Sequence, residues 1–514
     1  MLIPVIVSTD SGRRLRRVQR EPASHSAIVA AGVAVLCSAC AVGPDFKRPP
    51  PPKTDRFTVQ PLPMNTVTTD TFAGASQSYA PGGQVSARWW TLYGSAALDA
   101  LVDQAFKANP TVQSAQAALR EAHENELAAW GVLAPAIDAA GSAERQRIAG
   151  GEFGPDAPAA VYNLYNASVK VSYALDFWGA SRRELEALRA QRDYQRYTLE
   201  AAYLTLACNV VTTAIAEASL RAQIATTEQV VDASGKHLEV VKKQRRLGGA
   251  SAADVLAQQA ELSQDRTTLP NLRDQLERQR SLLATLLGQV PSEQPDVAFQ
   301  LSDLHLPESI PVSLPSQLVS QRPDVRQQEE LLHQASAQIG VATANMLPQI
   351  SLSASYGGTS ITADTLFNPV NRAWTASAGV TQPIFHGGQL LHQRRAAVAA
   401  YDEAAAQYRE TVLTAFRNVA DSLRALSDDA DTLNAQSEAA QTAAASLALT
   451  DRQYALGAVS FLTLLNAQRV ENQARTLLIQ AQAARYADTA ALFQALGGGW
   501  WNRDVLARAD GGVP

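Results

Sequence analysis

The sequence predicts an α+β membrane protein, assembled from two internal repeats, in which short amphipathic strands enter a membrane and very long helices stand outside it. Three observations carry this prediction. The chain repeats itself at a spacing of about 210 residues, it holds long runs free of glycine and proline, and it has four segments that alternate between apolar and polar residues. Composition narrows the classes further. The 44 Lys and Arg nearly balance the 49 Asp and Glu, giving a net charge of −5, so no basic surface points to nucleic acid.

At the start of the 514 residues, arginines 13, 14, 16, 17 and 20 precede an apolar run of about ten residues, Ala27 to Leu36. The run is half of what a spanning helix needs and reads as a secretory signal. It resembles a bacterial lipoprotein signal, because Ser38 and Ala39 place small side chains before Cys40. Cys37 fits worse, with Val35 and Leu36 ahead of it. The resemblance implies cleavage after residue 39 and a covalent lipid on Cys40, N-palmitoyl and S-diacylglycerol. Ala41 after the cysteine resembles lipoproteins sorted to the outer membrane. An ordinary cleaved signal that leaves Cys40 a stray thiol, and a CxxC redox pair, are the other readings. The Pro49–Pro52 run further on suits a stiff extended tether.

The body of the chain is written twice. Pro110 and Pro135 fall on Pro323 and Pro348 at an offset of 213, "DFWG" from Asp176 falls on "IFHG" from Ile384 at 208, and "LGGAS" from Leu247 falls on "LGAVS" from Leu456 at 209. Two copies of such a long period are two structural units, not rungs of a solenoid. Each copy reads as a helix, two alternating segments and two helices. The expected division is a signal over 1–39, a lipid-anchored Pro-rich segment over 40–87, repeats over 88–300 and 301–500, and a flexible tail over 501–514.

The alternating segments are "PAIDAAGSAERQR" and "ASVKVSYAL" in the first half, and "PQISLSASYGG" and "AWTASAGVTQP" in the second. Val169, Val171, Tyr173 and Leu175 share one face; so do Ile350, Leu352, Ala354 and Tyr356. Strands of about ten residues with one apolar and one polar face have the membrane-barrel pattern. Four strands are too few to close a barrel, and open edges are not tolerated in lipid, so several chains must pool theirs.

The helices are long. Ser181 to Leu247 contains one glycine and no proline, and Gln389 to Leu456 contains neither. At about 1.5 Å per residue either would extend on the order of 100 Å. Val412, Phe416, Val419, Leu423, Leu426, Ala430 and Leu433 advance by fours and threes, the period of coiled-coil packing. Shifted back by 208, the stripe is Leu204, Cys208, Val211, Ile215 and Ala218, which makes Cys208 a small buried hydrophobe. Ala440 and Ala444 are expected to let neighbouring helices approach. Each long helix turns back in a hairpin, at Gly248 and Gly249 or at Gly457.

Enzyme chemistry finds little support. The seven histidines form no HExxH pair or Cys/His cluster, no phosphate-binding glycine loop appears, and neither a cofactor nor a metal is expected. Glu330 with His333, and Asp428 with Asp429, read as solvated helix surface.

The stretches "CAVGPDFKRP" at Cys40, "RWWTLYGSAALDALVDQAFKANP" at Arg88, "LDFWG" at Leu175, "SLPSQLVSQRPDVRQQE" at Ser313, "QPIFHGGQL" at Gln382 and "YALGAVSFLTLLNAQ" at Tyr454 resemble the TolC family of outer membrane factors, in its lipoprotein (NodT/OprM-like) branch. The resemblance implies a homotrimer. Each chain would give four strands to a twelve-stranded outer membrane β-barrel, continued by a periplasmic α-helical barrel. It implies the exit duct of a tripartite efflux pump for small molecules, with a periplasmic adaptor, an inner membrane transporter of the RND type and outer membrane lipid as partners. Transport energy would come from the transporter. Arg246, Leu247, Gly248, Tyr454, Leu456 and Gly457 match the tips that adaptors cap. In the family, acidic residues beyond the second turn ring a closed aperture and bind cations. The matching positions here are Thr463 and Asn466, which implies a more neutral constriction of Leu462 and Asn466, while the duplicated position Asp254 keeps its acid. The alternatives are the exit duct of a type I secretion system and a lipid-anchored periplasmic coiled-coil scaffold, which leaves the four alternating segments without a purpose.

Overall fold

In chain order the elements are β1 (Ser78–Pro81), α1 (Ala96–Ala108), α2 (Pro110–Gly131), β2 (Ala136–Ile148), β3 (Ala160–Leu175), α3 (Ala180–Arg246), α4 (Ala252–Leu286), β4 (Ser309–Val312), α5 (Pro315–Gln321), α6 (Pro323–Ala344), β5 (Gln349–Ser360), β6 (Arg372–Thr381), α7 (Gln389–Ala455) and α8 (Phe461–Ala495). They are drawn from a computed structural model that describes residues 41–61, 63–149, 158–295 and 297–503. The signal, Cys40 and the tail from residue 504 lie outside the described residues. The duplication is visible in the lengths. α2 and α6 have 22 residues each, α3 and α7 have 67, and α4 and α8 have 35.

Local chemistry sets the ends. Ser95 caps α1 by accepting from the Leu98 amide, and Asn109 caps α2 by accepting from the Thr111 amide, with Pro110 at the first helical position, where its missing N–H costs nothing. Pro323 opens α6 in the same way. Both long helices run within one residue of the limits that the sequence predicts.

The chain divides into two units, each drawing on both halves of the duplication. The first contains 137–180 and 347–383 and is a four-stranded sheet in the order β2-β3-β5-β6. β3 and β5 are antiparallel, as are β5 and β6. Trp178 Nε1 donates to the Pro348 carbonyl at 2.8 Å, tying the two hairpins at their bases.

The second unit holds the helices. The heptad stripe is its core: Val412, Val419, Leu423, Leu426, Ala430 and Leu433 on α7 are buried, with Phe416 half-buried against them, and Cys208, Val211, Ile215 and Ala218 on α3 join the same cluster. Cys208 is free and buried, and burial pushes its thiol up to about 12. The stripe continues through Ala440 to Ala443. Ala444 is exposed and does not continue it. An apolar window of α3 is long enough to cross a membrane; 44% of it is buried, and Leu206, Val210, Val211 and Ile215 of the same helix belong to this core.

Several expectations need correction. The segment expected as lipid-anchored and Pro-rich is docked beyond its largely exposed proline run: Gln77, Val85 and Ala87 are buried, and Phe57 lies 5.5 Å from Phe416. β1 pairs in parallel with β4, from Ser78↔Ser309 to Pro81↔Val312, a sheet of four-residue strands too short to show alternation. Arg485, 1% exposed, holds this segment by donating to the Ala73 carbonyl at 2.7 Å and to Gln77 Oε1 at 3.1 Å. Asp429 is not solvated charge. It is half-buried, and burial together with the neighbouring Asp488 pushes its carboxyl up to about 7. Of the expected tail, Trp501 to Arg503 are held: Asn502 Nδ2 donates to the Val85 carbonyl at 2.7 Å, and Arg503 pairs with Glu200 at 2.8 Å.

Candidate functional site

The sheet separates its side chains by chemistry, row by row. Register places Leu175, Ile350 and Val380 in one row, Tyr173, Leu352 and Ala378 in the next, then Val171, Ala354 and Ala376, then Val169, Tyr356 and Trp374. Because paired residues share a face, these rows form one continuous apolar surface. Its members stay open in the single chain, Trp374 at 75% and Val380 at 68% exposure. The intervening rows are polar or small: Lys170, Ser355 and Thr375; Ser172, Ser353 and Ser377; Ala174, Ser351 and Gly379. Ser353 Oγ and Ser377 Oγ bond at 2.7 Å across that face. β2 and β6 are the two edges, and neither has a second partner among the described residues.

The helical hairpins end in two copies of one turn. In the first, the Gly248 amide donates to the Arg245 carbonyl at 3.1 Å and the Gly249 amide to the Gln244 carbonyl at 2.9 Å; in the second, Gly457 donates to Tyr454 and Ala458 to Gln453, each at 2.9 Å. Gly248 and Gly457 have φ of +84° and +73°, the left-handed geometry that closes a helix and favours glycine. Between them the turns present Leu247 and Leu456, 78% and 85% exposed, and Arg246 is exposed beside Leu247. Apolar side chains held open at a rigid turn are surfaces for a partner.

The structure brings the two turns together. Tyr454 is half-buried, donates from its hydroxyl to Gln244 Oε1 at 2.9 Å and meets Phe461 edge-on at 5.8 Å, in a small core with Leu238, Val241, Val255, Leu262 and Leu465. Burial first, and then the Asp254 carboxylate, raises its phenol above the usual range.

Beyond each turn a serine caps the return helix. Ser251 and Asp254 form a reciprocal capping box, the Ser251 amide donating to Asp254 Oδ2 at 2.8 Å and the Asp254 amide to Ser251 Oγ at 3.1 Å. Asp254 therefore serves its own helix. In the second copy Thr463 stands where Asp254 does, its amide donating to Ser460 Oγ at 3.2 Å. Leu462 and Asn466 are one turn apart on the exposed side of α8, opposite the buried Phe461, Leu464 and Leu465.

Sequence reasoning missed a clamp on the segment just after Cys40. Asp45 accepts from Arg183 at 2.7 Å, Phe46 stacks on His333 with ring centroids 4.4 Å apart, and Arg48 pairs with Glu329 at 2.9 Å. Gly43 has φ +99°, and a Cβ there would come within 2.4 Å of Gly340 Cα on α6. His333 bridges Glu186 at 2.9 Å and Glu330 at 3.4 Å, so the pair read as solvated surface is a half-buried ionic junction. The hydrogen bond with Glu330, aided by Glu186 and opposed by burial, raises the imidazole above its ordinary range. The only sequence signal was charge and an aromatic set among prolines in "GPDFKRP".

Comparison with known proteins adds an independent line. The family model described as outer membrane efflux protein matches residues 101–289 and 314–498. The pyoverdine export outer membrane protein OpmQ of Pseudomonas aeruginosa is 33% identical over 434 residues, 82% of this chain and 90% of the relative. The probable efflux pump outer membrane protein TtgC of Pseudomonas putida is 28% identical over 504 residues, 95% of this chain and 99% of the relative. The solved outer-membrane channel OprN superposes with a TM-score of 0.81 at 25% identity, covering 90% of this chain and all of that one.

Proposed function

The chain belongs to the outer membrane efflux protein family, whose members are transport ducts, and serves as the outer membrane channel of a tripartite efflux system; from that premise we propose the form in which it works. Three copies pool their strands into a twelve-stranded barrel, and the hairpins α3–α4 and α7–α8 extend inward as a periplasmic tunnel. The observation that carries this is the four-stranded sheet, whose β3, β5 and β6 present four successive apolar rows on one face and whose two edges have no partner among the described residues. Lipid rejects open edges, and about eight strands are the fewest that close. The apolar face then meets lipid and the serine-rich face lines the lumen. A coiled-coil scaffold has no use for such a sheet.

The paired tips, with Leu247 and Leu456 exposed, offer the docking surface for a periplasmic adaptor, which links the channel to an inner membrane transporter of the RND type. That transporter supplies the energy. A lipid on Cys40 anchors the chain, and the clamp on Asp45, Phe46 and Arg48 fixes the backbone next to that anchor. The cargo is small organic molecules, in keeping with relatives named for pyoverdine and toluene. Leu462, Thr463 and Asn466 form a neutral constriction.

Purified in detergent, the protein should run as a heat-labile trimer on an unboiled gel and conduct ions in a planar bilayer. Multivalent cations should block the Asn466→Asp variant far more strongly than the wild type. A lone water-soluble particle that passes no ions would overturn the reading.

A further inference from the structure

Toward the hairpin loops the apolar face of the sheet changes character. Arg145 and Arg147, near the end of β2, and Arg372, the first residue of β6, all stand on it. Two hydrogen bonds fix the face of β2: Asn166 Nδ2 donates to Ser142 Oγ at 3.4 Å, and Gln146 Nε2 donates to Tyr162 Oη. The even-numbered residues of β2 thus share the polar face of β3, and alternation puts Arg145 and Arg147 on the other. Arg372 is opposite Gly358, which is opposite Ala167, in the frame of the apolar rows. All three arginines are exposed, and among the described residues none has an acidic partner. Glu144, the acid nearest in sequence to Arg145 and Arg147, is on the opposite face by the same alternation.

On the same face the aromatic side chains Tyr165 on one side, and Tyr356 and Trp374 on the other, flank the row of Ala167, Gly358 and Arg372, where the residues are small. Ala139, Gly141, Ala167 and Gly358 floor a recess of about 630 Å³, with Phe367 and Arg372 also lining it. The loop 361–371 closes over Gly358, where a Cβ would lie 2.2 Å from the Leu366 carbonyl oxygen, so the recess depends on glycine there.

A lipid-facing surface gains nothing from three guanidinium groups that lack acidic partners among the described residues unless anions meet them. Arginine forks match phosphate oxygens two at a time, and long basic side chains on a membrane protein reach for the interface, which the aromatic row marks. We propose that this face, at the recess that Arg372 lines and at the arginine pair of β2 on the other edge of the sheet, binds a phosphorylated, multiply acylated lipid of the outer leaflet, the chemistry of lipid A. Arg145, Arg147 and Arg372 hold its phosphates, and the small-residue trough takes an acyl chain. This rests on the reading that the apolar face meets lipid.

The full-length protein, confirmed as a heat-labile conducting trimer in neutral detergent, is titrated with fluorescent lipid A, with phosphatidylcholine and with inorganic phosphate. The wild type should prefer lipid A over phosphatidylcholine by about tenfold, a difference of roughly 1.4 kcal/mol, and excess inorganic phosphate should not displace it. The Arg145→Gln, Arg147→Gln, Arg372→Gln triple variant should lose that preference, whereas Lys170→Gln on the polar face should keep it. Should the triple variant fail to assemble, Arg372→Gln alone must weaken lipid A binding. Unchanged binding in the glutamine variants, equal affinity for phosphatidylcholine, or displacement by phosphate would each overturn the site. A conducting trimer indifferent to the arginines refutes only the lipid site, whereas a wild type that neither trimerises nor conducts refutes the channel reading beneath it.

Discussion

His333 carries more than its position in the sequence suggests. Its ring stacks on Phe46 while both nitrogens face carboxylates, so the charged form holds the segment after Cys40 against α6. Glu330 and Glu186 raise its folded pKa above the unfolded value of 6.5, with Arg326, Arg48 and Glu329 completing the charged surroundings. The imidazolium's contribution is therefore fully present below pH 6.5 and is lost as pH rises through the raised value. The melting temperature of the wild type should exceed that of His333→Gln at pH 6, and the two should converge in alkaline buffer. A gap that stays constant with pH would show that the ring acts by packing alone. Gly43 belongs to the same scale: any side chain there meets Gly340, so Gly43→Ala should loosen the segment without touching the helices.

Among the elements, the paired helices set the requirements. A rod of 67 residues cannot be stabilised by local propensity, and the buried stripe supplies the packing that holds it. Leu426 is fully buried at the centre of that stripe, packed within the core shared with α3 and α8. Leu426→Ala should cost about 2–5 kcal/mol, read as a lower midpoint for loss of helical circular dichroism. The tips answer to a different demand. Their hydrogen bonds repeat at the same offset as the sequence, so the rigid turn is inherited from the duplication. What differs is chemistry: an acid caps one return helix and a threonine stands at the same place on the other. That difference removes one carboxylate from the second tip.

At the scale of the whole molecule, the sheet's two faces make a sharp contrast testable with neighbouring residues. Ala376 and Ser377 are adjacent near the middle of β6, the first on the apolar face and the second on the polar one. Ala376→Arg should cost about 2–4 kcal/mol in each chain, threefold in a trimer, and abolish the heat-labile species. Ser377→Arg should leave the trimer intact and shift bilayer selectivity toward anions. Equal tolerance of both would mean that the apolar face does not meet lipid.

Alternation, glycine-free length and self-similarity are local properties of a chain, so the strands, the long helices, the hairpin turns and the duplication were legible from the residues in order, to within a residue at the ends of both long helices. Cys208 could be placed from its position on a repeating stripe. Features that depend on residues far apart in sequence were not legible: the parallel pairing of Ser78–Pro81 with Ser309–Val312, the burial of Arg485 against a segment some four hundred residues away, the junction at His333, and the burial of Asp429. A helix position reads as solvated until something packs over it, and only the folded chain shows that the residues after Cys40 lie across α6 instead of hanging free. The sequence determined which surfaces exist, because periodicity is written into neighbours; the tertiary structure decided which of them are covered, because covering takes partners that sequence order does not reveal.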